Sequence, residues 1–117
     1  MQFNEVKYDD ALPIDGYGDG FFRIAGQVHQ GAVFIFQGRK HSFEQGELIK
    51  TLAPLANEID VIFFGCGKEI QSFDTALGAP LASLPFGYEL MITPTACRMY
   101  NVLLSEGRRV AIAALPV

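Results

Sequence analysis

IDVIFFG, residues 59–65, decides how this chain is read. Its apolar side chains run almost unbroken for the length of a strand. A strand with one wet face alternates apolar and polar residues, whereas a strand covered on both faces reads as a continuous apolar run. Residues 59–65 are therefore expected at the centre of a sheet that carries helices. Gly65-Cys66-Gly67 ends the run as a turn. Residues 72–83 read as a helix opposed by Gly78 and Pro80, and residues 87–92 as another strand. A helix over 94–106 is the clearest element, with Thr93 as its cap, Pro94 in its first turn and Gly107 as its left-handed stop. Residues 109–115 form a last strand.

Upstream of the run, Ser42-Phe43-Glu44-Gln45 has the form of a capping box, and Leu48, Ile49, Leu52, Leu55 and Ala56 follow at helical spacing. This predicts a helix around 46–57 whose last turn Pro54 shortens. Phe21–Ala25 and Val28–Gln37 read as two strands of a hairpin turning near Gly26 and Gln27. Residues 12–20, LPIDGYGDG, read as a glycine-rich loop and Met1–Tyr8 as an edge strand. The resulting order, βββαβαβαβ, predicts one α/β domain over residues 1–117, built in three layers with a central mixed β-sheet and flanking helices.

Composition agrees with such a domain. Half of the 117 residues are apolar and 19% are charged, which excludes intrinsic disorder. A formal net charge of −4 is the wrong balance for a protein that binds phosphate backbones, so no nucleic-acid partner is expected. No apolar run is long enough to span a bilayer. The acidic N-terminus does not read as a leader, which predicts a cytoplasmic protein. Cys66 and Cys97 stand far apart in apolar surroundings, so a reducing compartment and free thiols are expected. With His29 and His41 the only histidines, no metal site is expected, and no cofactor fingerprint is present.

The chemistry that remains lies around the last helix. At about 100° per residue, Ala96, Met99, Tyr100, Leu103 and Leu104 fall on one apolar arc with Cys97 at its margin, and Arg98, Asn101 and Ser105 fall opposite. The second group is a solvated face, or Arg98 leans toward the helix start at Thr93 and completes an anion site beside Gly65, Cys66 and Gly67. Cys66 as a nucleophile would need a cation or dipole to lower its pKa, and only Lys68 is near in sequence; an inert thiol in a turn is the simpler reading. Asp9, Asp10, Asp15 and Asp19 have the composition of a calcium loop without its spacing. No catalytic constellation is present, so the reading leans against an enzyme.

Three segments together resemble one family: IDGYGDGFFRIAG (14–26), the GCG turn after IDVIFF, and ITPTACRMYNVLLSEGRRVAIAAL (92–115). The resemblance is to the Mth938-like domain family, which includes small bacterial proteins and the mitochondrial assembly factor for respiratory complex I, and it extends from Ile14 to Leu115. The family's tyrosine-glycine loop falls on Tyr17–Gly20, its following Arg on Arg23, and its glycine turn on Gly65–Gly67. Its helix motif falls on Thr93, Arg98, Tyr100 and Asn101, followed by Glu106, Gly107, Arg108 and Arg109. Cys66 stands where the family usually has Thr, Met99 replaces another Thr, and a Trp common after the third strand is missing.

The resemblance implies a three-layer α/β fold, no settled enzymatic activity, and protein partners, with respiratory-complex subunits at a membrane in the mitochondrial branch. Two functional readings follow. One is a non-enzymatic interaction protein, an assembly or maturation factor for a complex I-type membrane assembly that contacts the membrane only peripherally. The other is a small-anion or small-ligand binding protein, or an enzyme, with its pocket at Gly65–Gly67 and the Thr93 helix start. The candidate residues are Asp15, Tyr17, Asp19, Gly65, Cys66, Gly67, Thr93, Arg98 and Asn101, and Arg98 is expected to meet Asp15, Asp19 or an anion.

Overall fold

The computed structural model describes residues 11–117. The strand expected over Met1–Tyr8 lies outside them. The chain forms β1 (Ile14–Gly18), β2 (Phe21–Ile24), β3 (Gln27–Gln30), β4 (Val33–Phe36), β5 (Arg39–Ser42), α1 (Leu48–Leu52), β6 (Val61–Gly65), α2 (Asp74–Leu77), β7 (Gly87–Met91), α3 (Thr93–Ser105) and β8 (Val110–Ala114). Short 3-10 turns follow α1 at Ala53–Leu55 and α2 at Leu81–Ser83.

The apolar run becomes β6, which pairs in parallel with β7 on one side and β8 on the other. Strand β4 runs antiparallel to both β8 and β5, giving a mixed five-stranded sheet of order β5-β4-β8-β6-β7. The run is covered on both faces as expected, but the middle strand is β8, VAIAA, every residue of which is buried. Strands β1, β2 and β3 form a separate antiparallel sheet.

A core lies on each face of the five-stranded sheet. On one face Phe34, Phe36, Ile62 and Phe64 pack with Leu48 and Leu52 of α1 and with Phe73, Ala76 and Leu77 around α2. Ala111 and Ala113 are the small residues that make room for these rings. On the other face Val33, Ile35, Phe63 and Ile112 pack against Ala96, Cys97 and Tyr100 of α3 and against Ile14, Phe22 and Ile24 of the small sheet. The protein is thus a mixed α/β fold in layers, and from the first helix onward its elements alternate αβαβαβ as the sequence predicts.

Several local expectations are corrected. Residues 14–18 are a strand and not part of a loop, because their glycines leave the backbone free to pair with β2. Residues 28–37 are two strands in different sheets, separated at Gly31, whose φ of 80° lets the chain turn while its N–H bonds the Gly20 carbonyl at 2.8 Å. The preceding hairpin turns at Ala25-Gly26, both at positive φ, one residue earlier than predicted. Polar RKHS, 39–42, is an edge strand. Ser42 ends it, so the predicted capping box caps nothing; α1 starts after Glu47 without a side-chain cap. The helices expected over 46–57 and 72–83 shrink to Leu48–Leu52 and Asp74–Leu77 plus their 3-10 turns. The α3 face is also rotated: Cys97 is buried, whereas Met99 is 38% exposed.

Candidate functional site

Helix α3 starts immediately after β7, and Thr93 is where helix and sheets are tied. Its Oγ1 donates to the Leu115 carbonyl at 2.6 Å and accepts from Gly67 N–H at 2.8 Å, while its own N–H donates to the Gly67 carbonyl at 2.9 Å. Gly65 is needed beneath it, because a Cβ there would lie 2.9 Å from Thr93 Oγ1 and 3.1 Å from Ala114 Cβ. Thr93 therefore does not cap the helix, which starts from Ile92 with no side-chain cap. Pro94 has no N–H, and Ala96 N–H bonds the Ile92 carbonyl. Of the first helical donors only Thr95 N–H is left, a sparse lining for an anion.

About two turns along, Asn101 faces β1. Its Nδ2 donates to the Ile14 carbonyl and its Oδ1 accepts from Ile14 N–H, both at 2.9 Å. Tyr100 donates its hydroxyl to the Leu12 carbonyl at 2.9 Å from a buried ring. Asn101 is thus no member of a solvated face. Besides its place in the resembled helix motif, its mismatch with the interior of a helix, where Asn is a poor former, is a sequence signal for such a role.

Beyond Asn101 a groove of about 310 Å³ opens between β1 and α3, lined by Asp15, Gly16 and Tyr17 on one wall and by Pro94, Arg98 and Val102 on the other. Tyr17 and Val102 are 43% and 46% exposed. Asp15 Oδ2 accepts from Gly26 N–H at 3.1 Å, holding the β2–β3 turn. The Arg98 side chain is exposed and, among the described residues, forms neither a hydrogen bond nor an ion pair; the expected contact with Asp15 or Asp19 is not made. Asp19 sits in the turn beyond the groove.

The Gly65–Gly67 turn opens elsewhere. Cys66 and Gly67 line a second depression of about 390 Å³ with Lys68, Ile70, Gln71 and the segment 115–117. The Cys66 thiol is buried and donates to the Gln71 carbonyl at 3.3 Å, and Gln71 Nε2 returns a bond to the Cys66 carbonyl at 2.9 Å. The structure therefore assembles Asp15, Tyr17, Arg98 and Asn101 in one groove and Cys66 and Gly67 in another, with Thr93 and Gly65 as the buried tie between.

Burial pushes the Cys97 thiol up to about 12 and raises the Tyr100 hydroxyl as well, so neither ionises near neutrality. At the surface, the Arg109 guanidinium, 2.8 Å from Asp60, lowers that carboxyl. Among the described residues no three His, Cys, Asp or Glu side chains converge as a metal site, and no helix is long and apolar enough to cross a membrane.

A family model described as protein of unknown function (DUF498/DUF598) matches residues 14–115. An uncharacterized protein of Rhodobacter capsulatus is 43% identical over 117 residues, covering 100% of this chain and 94% of that one. Among solved structures, one described as an outer membrane protein from Bartonella henselae superposes with a TM-score of 0.78 at 27% identity, covering 93% of this chain and 98% of its own. A Bordetella pertussis protein described as a Mth938-like domain shares the fold with a TM-score of 0.69 at 21% identity, covering 99% and 91%.

Proposed function

This chain belongs to the DUF498/DUF598 family and has the Mth938-like fold, and from that premise we propose that it is a non-enzymatic docking protein whose partners bind the groove between β1 and α3. The observation that carries this reading is the juxtaposition of exposed Tyr17 and Val102 with Arg98, which has no acceptor among the described residues. Tyr and Arg are the side chains that anchor protein interfaces, since each combines large contact area with directed hydrogen bonds. The competing ligand-pocket reading draws less support. It needs the Gly65–Gly67 turn, the Thr93 helix start and Arg98 around one cavity, yet the first two spend their polar groups on each other and Arg98 lines a different depression. The resemblance to the Mth938-like family supports a finer reading, in which the partners are subunits of a complex I-type assembly met from the cytoplasmic side of a membrane.

The test is recovery of partners on the tagged chain from native extract, scored for proteins and for retained small molecules. Proteins should co-purify with the unmodified chain, and Tyr17→Ala and Arg98→Glu should each weaken their binding by about 2 kcal/mol, roughly 30-fold. Equal recovery by all three chains, or a retained small molecule with no protein, contradicts the proposal.

A further inference from the structure

The docking groove has a strand edge for one wall. We infer that the partner enters it as an extended peptide that adds a fourth strand to the small sheet alongside β1 and sets an acidic side chain against Arg98; this rests on the docking reading above.

Among the described residues, strand β1 ends the order β1-β2-β3, with one of its edges paired within that sheet. In an antiparallel ladder, successive pairs alternate between those that exchange hydrogen bonds and those that do not. Gly16–Arg23 and Tyr17–Phe22 are successive pairs, so one of Gly16 and Tyr17 turns its N–H and C=O away from β2, toward the groove. At Ile14 the outer edge is already met: the Asn101 carboxamide gives and takes one hydrogen bond with the Ile14 backbone, as a residue of an adjoining strand would. Asn101 therefore ends the site on one side and shows that the edge accepts a ladder partner.

Gly16 makes the edge approachable. Gly16 directly follows the register shift of β1 on β2 at Asp15; a Cβ built there meets no atom within 4 Å and its φ is not positive, so neither packing nor a left-handed turn calls for the glycine. A bare backbone in a strand is a place where another backbone can come close. Charge then selects the occupant. Asp15 is engaged by Gly26 N–H, so Arg98 is the groove charge with no partner among the described residues, and a carboxylate matches its planar fork. Main-chain bonds to an edge with side-chain selection beside it is the β-augmentation mode of peptide recognition.

The probe is a phage-displayed library of short random peptides selected on the immobilised full chain. The selected peptides should share one Asp or Glu within alternating apolar residues. Methylating their alternate backbone nitrogens should weaken binding about tenfold or more. In the complex, amide exchange at Gly16 or Tyr17 should slow by a similar factor. Gly16→Val, which fills open space, should melt within a few degrees of the parent yet lose the peptides. Arg98→Lys should keep partial binding, and Arg98→Glu should prefer the peptides with Lys in the acidic position. Arg98-dependent peptides that protect no β1 amide, or that ignore backbone methylation, overturn strand addition while leaving the docking groove standing. A selection that yields no Arg98-dependent peptide, or only self-association of the chain through β1, overturns the inference. If partner recovery also ignores Arg98→Glu, the docking reading falls with it.

Discussion

Thr93 is fully buried and still spends both halves of its hydroxyl, one on Gly67 N–H and one on the Leu115 carbonyl. A valine of the same shape keeps the packing and leaves both backbone groups without a partner, and a buried orphan costs about 1–3 kcal/mol. Thr93→Val should lower the urea midpoint accordingly, whereas Thr93→Ser, which keeps the hydroxyl, should stay close to the parent. Equal midpoints for the two variants would mean that the tie contributes nothing. Met99, on the same helix, is the opposite case: helical spacing places it on the apolar arc, but the packed face is set by Ala96, Cys97 and Tyr100, and the Met99 side chain meets solvent.

At the level of elements, α1 and α2 are too short to hold themselves and depend on their junction. Gly78 ends α2 at a φ of 85°, and a Cβ there would fall on the Gly46 carbonyl group. Gly46 also has positive φ, but its Cβ position is empty. Gly78→Ala should therefore cost more than the roughly 1–2 kcal/mol of left-handed strain expected for Gly46→Ala, as read by thermal melting of the two variants side by side. This junction also marks where the sequence stops being informative. Strands β6 and β8 and helix α3 were legible because continuous apolar runs and a Pro-to-Gly frame state them locally. Strand β5, RKHS, was not, because an edge strand is specified by its neighbour β4 and needs no apolar pattern. Strand β1 was hidden by its glycines. Within the candidate site, spacing placed Arg98 and Asn101 with Ser105 on one helix face and the family resemblance singled out the first two, but the pairing of Asn101 with Ile14, 87 residues away, is a tertiary fact.

For the molecule as a whole, the two-faced sheet puts titratable groups into dry cores, and Cys97 reports on this. Burial raises its thiol from its ordinary value of 9.0 to about 12, so above pH ~9 the unfolded chain loses this proton before the folded one does. Stability from this group is complete below that pH and is lost as pH climbs toward about 12; Tyr100 adds a loss of the same sign. Between pH ~7 and ~10 the parent should lose more of its urea midpoint than Cys97→Ala does, and parallel losses would show that the thiol is not desolvated. The strand order has another consequence, for synthesis on the ribosome. Because β8 lies between β4 and β6, neither inner edge can close until residues 110–114 emerge, although Val33–Phe36 was made long before. At about 5–20 residues per second, that wait is on the order of 4–16 s. Throughout it the nascent chain carries a phenylalanine-rich strand with no ladder partner on that side, which makes it a natural client for a chaperone at the tunnel exit.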